Sequence, residues 1–521
     1  MKQLWILGAL AMLAPALHAA DCSALKSLAL PDTTIETAES VTSGTLVTPT
    51  GEGPFHDLPP FCRVTGVLRP SADSIIRFEA WLPAEHWNGR FLGVGNGGFA
   101  GAISDGSLAA NLNRGFATAG SDTGHQGEAE DASWAFHHPE KIKDFGWRAV
   151  HLTAQAAKSI IQAYYAKPAE KSYFDACSDG GREALMEAQR FPADYDGILA
   201  GAPANNWAHM LSSSVALAQK TLAEPRAYIS SLKLPAVQRA VLAQCDAQDG
   251  VSDGILNNPP ACHFDPQALL CKSGDNLDCL TQPQVDGLKA LYAGGHDSHG
   301  NPIFPGFAPG DEARGWPDWI IGHGPGSGSG SQYVENFFRY MVTNDPKWNL
   351  LTANVDQSLA QAMQTTAADL DAANPDLTSF AKRGGKLILY HGWDDPAISP
   401  LNSIAYVQSV EKRMGAAQAD TFLRLFMAPG MEHCVGGPGP DRFGQLGIPT
   451  EPGPEHNLFE ALENWVEKGT PVDQVIASKI STAQGQPKVL MARPLCPYPQ
   501  IAKYKGSGDT NDAASFACGK E

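Results

Sequence analysis

The sequence predicts an α/β fold, in which strands of one buried sheet alternate with helices along the chain. Three observations favour this class. Short apolar segments recur along the chain, an amphipathic segment over residues 145–165 separates two of them, and a sharp turn at Ser178 joins a strand directly to a helix. Alternating strands and helices produce a parallel sheet that is covered on both faces. The chain has 521 residues, enough for a large core and for two domains.

The predicted strands are short and apolar, and several of them end at glycine or proline, as buried strands do. A helix is predicted directly after Ser178, and residues 458–466 look like a closing helix. The strand predictions are residues 75–82, 90–94, 115–120, 173–177, 196–203, 386–390 and 421–426.

The alternation of strands and helices is interrupted in the middle of the chain. Residues 205–383 contain four clustered cysteines, an Asp/Gly-rich turn and a Gly/Ser stretch over 326–331. Because the strand pattern resumes at residue 386, we expect this block to be an insertion that forms a lid domain over the core. Residues 21–204 and 384–521 are then predicted to form the core domain.

Ser178 is the candidate nucleophile, because a side chain at a strand-to-helix turn projects from the top of the sheet. Asp395 and His433 follow later strands, and the chain order Ser, Asp, His is that of the α/β-hydrolase triad. The carboxyl ends of parallel strands meet at one edge of the sheet, so the three side chains are expected to converge there. Asp394 is an alternative to Asp395, since spacing alone does not separate neighbours.

The chemistry of an activated serine gives each residue a role. A serine hydroxyl is a weak nucleophile until a base accepts its proton, and His433 is the predicted base. Asp395 would fix the histidine tautomer and stabilise the imidazolium. The backbone N–H of Asp179 is the expected first donor to the oxyanion, and Gly98 is the expected second donor, with Gly97 as its alternative. Each residue alone has an ordinary structural interpretation, but the joint arrangement favours catalysis.

The first 20 residues predict a secretory signal peptide: a lysine, an apolar run and then small residues, with cleavage after Ala19 or Ala20. No other apolar stretch is long enough to span a bilayer, so an exported protein, periplasmic or secreted, is expected. The net charge of −18 argues against a nucleic-acid partner, because phosphate binding needs clustered Lys and Arg.

Ten cysteines in an exported chain predict up to five disulfides. Local spacing suggests three pairs, and a fourth would tie down the mature N-terminus. Cys177 and Cys434 remain, and a bond between them would join the neighbours of Ser178 and His433. A metal site is the alternative, although the chain contains no Cys-x-x-Cys spacing. The predicted pairs are Cys22–Cys62, Cys177–Cys434, Cys245–Cys262, Cys271–Cys279 and Cys496–Cys518.

A second candidate site is the acidic loop over residues 245–255. Asp246, Asp249 and Asp253 lie within this one loop and would repel one another unless a cation sat among them. Hard oxygen ligands suit calcium, and backbone carbonyls can complete its shell. The spacing does not match an EF-hand loop, and a solvated Asp-Gly turn is the alternative.

Residues 176–181, taken together with the His433–Cys434 dipeptide, resemble the tannase/feruloyl esterase family, which includes terephthalate monoester hydrolases. The paired Cys-Ser and His-Cys motifs are highly specific to this family, and the similarity extends over nearly the whole mature chain. Further matching segments are residues 121–125, 201–204, 338–340, 345–348 and 493–498.

The resemblance implies site residues as well as a fold. It assigns Ser178, Asp395 and His433 to the triad, choosing Asp395 through the His-Gly-x-x-Asp pattern of the family, and it implies the Cys177–Cys434 bond. Ala176 departs from the glycine of the usual elbow. The resemblance also implies a structural calcium in the lid. Its ligands would be the side chains of Asp246, Asp249 and Asp253 and the carbonyl groups of Val251 and Ile255.

The resemblance further implies hydrolysis of small aromatic esters through an acyl-enzyme on Ser178. Feruloyl or other hydroxycinnamoyl esters are the expected class, with galloyl esters (a tannase) and terephthalate monoesters as alternatives. A non-catalytic polyphenol- or carbohydrate-binding protein on a hydrolase scaffold is the alternative from another class. Candidate substrate contacts in the lid, each with an ordinary structural role as its alternative, are Arg314, Trp316, Trp319, Phe337, Phe338 and Arg339.

Overall fold

The computed structural model describes residues 21–42, 44–48, 52–481 and 487–520. The predicted signal peptide, residues 1–20, lies outside these described residues. No helix in the described part of the chain is both long and apolar enough to cross a membrane.

The strands alternate with helices along most of the chain. The strands are β1 (Thr33–Val41), β2 (Gly44–Leu46), β3 (Phe55–Leu58), β4 (Phe61–Leu68), β5 (Ile76–Pro83), β6 (Arg90–Val94), β7 (Ala117–Ser121), β8 (Lys171–Cys177), β9 (Gly197–Gly201), β10 (Gly295–His296), β11 (Pro302–Phe304), β12 (Lys386–Gly392), β13 (Leu423–Ala428), β14 (Val475–Ser481), β15 (Lys488–Leu495), β16 (Ile501–Tyr504) and β17 (Phe516–Gly519). The α-helices are α1 (Asp105–Asn113), α2 (Pro139–Lys143), α3 (Ala149–Tyr165), α4 (Asp179–Arg190), α5 (Trp207–Leu222), α6 (Leu234–Cys245), α7 (Gln282–Ala293), α8 (Ser329–Asn336), α9 (Val355–Thr365), α10 (Ala367–Leu370), α11 (Thr378–Lys382), α12 (Leu401–Met414), α13 (Ala416–Ala419) and α14 (Leu458–Lys468).

The central sheet has nine strands in the order β1-β4-β5-β7-β6-β8-β9-β12-β13. From β7 to β13 each neighbouring pair is parallel. Helices α3, α4 and α12 pack on one face, and α1 and α14 pack on the other. The predicted α/β-hydrolase class is therefore confirmed, and every strand that the sequence predicts is present with its bounds moved by at most a few residues.

The sheet is mixed rather than wholly parallel, which the sequence analysis did not predict. The pairs β1/β4, β4/β5 and β5/β7 are antiparallel. The short connection between β4 and β5 explains this part, because a parallel neighbour requires a crossover of about a dozen residues or more. Beyond α14, the chain also forms two unpredicted hairpins, β14/β15 and β16/β17.

The middle segment, residues 205–383, contains helices α5 to α11 and the small hairpin β10/β11. It has an aromatic core of its own, in which Trp207, Phe337 and Phe338 are buried. The same cluster includes Phe99 and Phe145, which precede the segment in the chain. The segment thus packs onto the core through apolar side chains. Its boundaries as a lid domain stay a prediction.

Candidate active site

Ser178 lies between β8 and α4 with φ 67° and ψ −123°, a backbone conformation that residues other than glycine rarely adopt. Such strained turns hold the nucleophile of α/β-hydrolases at the top of the sheet. The turn also explains how Ala176 replaces the usual glycine. A side chain on Gly95 or Gly180 would stand 2.7 Å or 2.6 Å from the Ala176 Cβ. The two neighbouring glycines therefore provide the space that the alanine methyl group needs.

The structure brings the three residues of the predicted triad together. The Nε2 atom of His433 lies 2.8 Å from the Oγ of Ser178, and its Nδ1 atom lies 2.8 Å from the Oδ2 of Asp395. Since a carboxylate only accepts, Nδ1 carries the proton and donates to Asp395, which leaves Nε2 free to accept from the serine hydroxyl. This is the tautomer that a general base requires.

Asp395 is fully buried and receives four donors. His433 and His391 both contact its Oδ2 atom, and its Oδ1 atom accepts from the backbone N–H groups of Ala397 and Ile398. Burial opposes ionisation, but the charge of His433 and the hydrogen bonds from both histidines hold the pKa of Asp395 well below its usual value. The second histidine is a feature to which the sequence analysis gave no role, although His391 belongs to the His-Gly-x-x-Asp pattern.

Asp394, the alternative considered for the triad, is buried among other carboxylates, whereas His433 pairs with Asp395. Burial raises the pKa of Asp394 well above the usual value, and the neighbouring carboxylates of Glu312 and Glu432 add to this shift. A carboxyl group that favours its neutral form is poorly suited to stabilise an imidazolium. Geometry therefore favours Asp395.

Five disulfides are present, and they are the five pairs that the sequence predicts. The Cys177–Cys434 bond joins two Cα atoms 6.0 Å apart across a sequence separation of 257 residues. Because Cys177 precedes Ser178 and Cys434 follows His433, this bond links the loop of the candidate base to the strand that precedes the candidate nucleophile.

The predicted oxyanion donors lie around Ser178. Asp179 begins α4, so its N–H belongs to the first turn, in which backbone donors have no partner within the helix. The Asp179 side chain pairs with buried Arg182, whose Nε donates to Asp179 Oδ1 over 2.6 Å. Gly97 and Gly98 both line the cavity described below. Gly98 has φ +58°, and a Cβ there would stand 2.5 Å from the Ala129 carbonyl oxygen.

Asn96 connects the glycine loop to the nucleophile helix, a contact that the sequence analysis missed. Its backbone N–H donates to Glu183 Oε2 over 3.0 Å, and its carbonyl oxygen accepts from the Gly180 N–H over 2.8 Å. Its side chain donates to the carbonyl groups of Ala102 and Ser121. Burial, and then the charge of Asp179, raises the pKa of Glu183 to about 8. No spacing rule connects Asn96 with Glu183, because they meet only after the sheet has formed.

A cavity of about 720 Å³ opens above Ser178 and His433. On the side of the middle segment its wall is largely apolar, formed by Trp207, Met210, Leu211, Trp319 and Tyr333. The rings of Trp319 and Tyr333 are stacked, and the Trp319 ring lies 5.4 Å from that of His433. A cavity of this size and lining fits a small molecule with an aromatic ring.

Of the lid residues considered as substrate contacts, only Trp319 lines this cavity. Trp316, Phe337 and Phe338 are buried in the packing of the middle segment. Arg314 pairs with Asp311, and Arg339 pairs with Glu335, so both arginines form ion pairs outside the cavity wall. Trp207 and Tyr333 were missed, because their approach to Ser178 depends on how the segment docks.

The acidic loop supplies four of the five predicted calcium ligands to one small cavity, of about 10 Å³, lined by Asp249, Val251, Asp253 and Ile255. Burial raises the pKa of Asp249 to about 6, and the charges of Asp253 and Asp246 add to the shift. This mutual repulsion is what a bound cation would relieve, so the oxygen-rich donor set fits calcium.

Two contacts in the loop depart from a simple ring of ligands. Asp246 does not line the small cavity; its Oδ1 atom accepts from the Gly254 N–H over 3.0 Å. Arg493 donates to Asp253 over 2.6 Å. The loop is therefore preorganised by its own hydrogen bonds and by one arginine from the C-terminal hairpins.

Comparisons with known proteins agree with this fold. The family model described as "Tannase and feruloyl esterase" matches residues 62–519. An uncharacterized esterase of Xanthomonas campestris is 41% identical over 98% of this chain and 92% of its own length. The mono(2-hydroxyethyl) terephthalate hydrolase of Piscinibacter sakaiensis is 35% identical over 88% of this chain and 85% of its own length. The crystal structure of feruloyl esterase B from Aspergillus oryzae superposes with a TM-score of 0.88 and 30% identity, covering 95% of this chain and 99% of that one.

The fold and the serine-histidine-aspartate geometry define an α/β-hydrolase. Within that class, the chain belongs to the tannase and feruloyl esterase family, as its sequence motifs indicated. It is a carboxylic ester hydrolase.

Proposed function

We propose that this protein hydrolyses carboxylic esters of aromatic acids, with feruloyl or other hydroxycinnamoyl esters as its best substrates. The observation that carries the proposal is the hydrogen-bonded chain from Ser178 through His433 to Asp395, which lies at the base of a cavity with an aromatic wall. Galloyl esters and terephthalate monoesters are the alternative substrates, since the family description includes tannase and one relative is named as a terephthalate monoester hydrolase.

In the proposed mechanism, His433 Nε2 takes the proton of Ser178 Oγ as that oxygen attacks the ester carbonyl carbon. The N–H groups of Asp179 and Gly98 donate to the carbonyl oxygen as it gains negative charge. The tetrahedral intermediate collapses, His433 returns its proton to the leaving alcohol, and the acyl group stays on Ser178. Water then attacks the acyl-enzyme with His433 as base, and the acid is released as Ser178 regains its proton.

Asp395 would contribute by staying ionised throughout. Its low pKa keeps it a carboxylate, so it holds the Nδ1 proton and stabilises the imidazolium formed in both steps. The Cys177–Cys434 bond would keep base and nucleophile in register. Trp319, whose ring stands against His433, would exclude water from one side of the imidazole.

The deciding experiment measures hydrolysis of methyl ferulate, methyl gallate, mono(2-hydroxyethyl) terephthalate and p-nitrophenyl acetate by wild type and by Ser178→Ala. Turnover of an aromatic ester by wild type alone supports the proposal and identifies the acid. If wild type cleaves only the activated acetate, the aromatic-acid assignment fails. If wild type and variant are equally inert, and no fluorophosphonate probe labels Ser178, a non-catalytic binding protein on this scaffold becomes the better explanation.

We also propose that the acidic loop binds a structural calcium through the side chains of Asp246, Asp249 and Asp253 and the carbonyl groups of Val251 and Ile255. A bound calcium would neutralise the loop and brace it against the C-terminal hairpins. Calorimetry of the chelator-treated protein is expected to give one calcium site and a higher melting temperature on binding. Asp249→Asn should weaken binding, whereas the same change at exposed Asp57 should not. A melting temperature that does not respond to calcium contradicts the site.

Export is part of the proposal. The protein has five disulfides. Because disulfides form and persist in oxidising compartments, they support a periplasmic or extracellular location. Cell fractionation, with mass spectrometry of the mature N-terminus, tests export and the predicted cleavage after Ala19 or Ala20. A full-length cytoplasmic product would contradict it.

A further inference from the structure

The described residues that line the substrate cavity include several aspartates and glutamates. Glu52, Glu128, Glu130 and Asp175 contribute to its lining, together with Asp179, whose charge is matched by buried Arg182. Among the described residues that line the cavity there is no lysine and no arginine. Burial raises the pKa of Asp175 to about 7, which leaves the three glutamates as the other acidic side chains of this lining.

The position of Glu130 indicates which part of a bound substrate would lie near its carboxylate. Glu130 lines the cavity and follows Ala129 in the chain. A Cβ on Gly98 would stand 2.5 Å from the Ala129 carbonyl oxygen and 2.6 Å from the Tyr333 hydroxyl, so this segment lies next to Tyr333. Burial is the main cause of the raised pKa of Tyr333, and the Glu130 charge adds to it. Tyr333 stacks with Trp319 on the aromatic wall that faces Ser178. Glu130 thus stands beside the wall that suits the ring of the acid, whereas Glu52 accepts from the Gly106 N–H at the start of α1.

An acid that carries a second carboxylate would meet unfavourable charge here. Its carboxylate would lose water on entering the cavity, and no arginine or lysine among the described wall residues would compensate that loss. Repulsion between a substrate carboxylate and a glutamate several ångströms away near the protein surface lowers the affinity for that substrate by about tenfold to a hundredfold. Phenolic and methoxyl groups carry no such penalty, because a phenol is neutral at pH 7.

We propose that this cavity selects electrically neutral esters and that Glu130 is the residue that discriminates against an acid part bearing a second carboxylate. This inference rests on the proposed aromatic-ester activity and narrows it. Hydroxycinnamoyl and galloyl esters remain substrates, whereas terephthalate monoesters become poor ones. The discrimination arises from this chain's own side chains, independently of what any relative cleaves.

The test uses substrates that differ only in charge. Methyl 4-carbamoylcinnamate and methyl 4-carboxycinnamate are nearly isosteric, and so are methyl 4-carbamoylbenzoate and monomethyl terephthalate. For each ester, kcat/KM is divided by the rate of hydroxide-catalysed hydrolysis, which removes the difference in intrinsic reactivity. Wild type is expected to prefer the neutral member by about tenfold or more, mainly through KM. Added salt should reduce the preference, because the glutamates are partly exposed and therefore screened.

Glu130→Gln is expected to shrink the preference severalfold, and Glu36→Gln, the same change on an exposed residue of β1, should leave the ratio as it is in wild type. A wild-type ratio within about twofold of unity overturns the inference, as does a ratio that Glu130→Gln does not alter. If no ester of either pair is cleaved while p-nitrophenyl acetate is, the aromatic-acid proposal itself has failed. The two failures are thereby told apart.

Discussion

At the scale of single residues, Asp394 and Asp395 show how much burial and hydrogen bonding can separate two identical side chains. Asp395 accepts from two histidines and two backbone N–H groups, and its pKa is lowered. Asp394, one position earlier, is buried near other carboxylates, and its pKa is raised. The charged form is thus favoured at one position and disfavoured at the next, although a sequence shows only two adjacent aspartates.

Asp395→Asn is expected to lower kcat by about a thousandfold to ten-thousandfold, because an amide can donate to Nδ1 and thereby favour the wrong tautomer of His433. Asp394→Asn is the matched control and should retain activity within a few-fold. Steady-state kinetics on the best aromatic ester measure both. Equal losses in the two variants would contradict the assignment of Asp395.

The two loop glycines provide a second residue-scale prediction. Gly98→Ala places a Cβ 2.5 Å from the Ala129 carbonyl oxygen at a positive φ, so the loop must shift. We expect kcat/KM to fall about tenfold to a hundredfold as the oxyanion donor moves. Gly97→Ala meets no atom within 4 Å and should lose far less activity. A larger loss for Gly97→Ala would indicate that Gly97 is the more important position.

At the scale of elements, the site is assembled from three strand ends and tied together by specific cross-links. Ser178 follows β8, Asp395 follows β12 and His433 follows β13. Asn96, after β6, bonds to two residues of α4, and the Cys177–Cys434 bond joins β8 to the loop after β13. These links hold the catalytic distances to within about 0.5 Å, because loops alone are too mobile to maintain them.

Replacing Cys177 and Cys434 together by alanine is expected to reduce turnover far more than it reduces melting temperature, since the bond holds base and nucleophile in register. The Cys22→Ala/Cys62→Ala variant removes a disulfide remote from the triad and should show the reverse balance. Turnover and thermal unfolding are measured on the same oxidised preparations. Unchanged turnover in the first variant would refute a role in preorganisation.

At the scale of the whole molecule, the protein is acidic in its interior as well as on its surface. Burial is the main cause that raises the pKa values of Asp122 and Asp175 to about 7 and of Glu183 to about 8. Their values in an unfolded chain lie near 4. Above pH 5 the folded protein therefore keeps protons at these groups that the unfolded chain has already released.

The free energy of unfolding is consequently expected to fall as the pH rises from about 6.5 to 8.5. Groups with lowered pKa values have the opposite effect on the free energy of unfolding, but they act at lower pH. The lowered pKa of Glu140 changes stability only below about pH 4.5, and that of buried His125 only below about pH 6.5. Urea unfolding at fixed salt measures the slope. Glu183→Gln should flatten it, whereas a stability that rises across this window would contradict the prediction.

The sequence by itself determined the fold class, the strand ends that carry the triad and all five disulfide pairs. The fold class follows from local information, because alternating apolar strands and helices are typical of a covered parallel sheet, and three cysteine pairs follow from their short separations. The triad was predicted from the joint arrangement of Ser178, Asp395 and His433. The Cys177–Cys434 pair, 257 residues apart, was predicted by elimination and is implied by the family motifs. Family motifs supplied the choice of Asp395, which the geometry favours. They also supplied the implied calcium ligands, and calcium binding stays a proposal.

Only the tertiary structure decided the rest. It made the N-terminal part of the sheet antiparallel, placed Trp207 and Tyr333 above Ser178, and joined Asn96 to Glu183. It also brought Glu128 and Glu130 to one cavity wall. These contacts connect residues far apart in the chain, and their partners are set by how whole elements pack. Sequence periodicity predicts which face of an element is buried, but it does not predict which other element packs against that face.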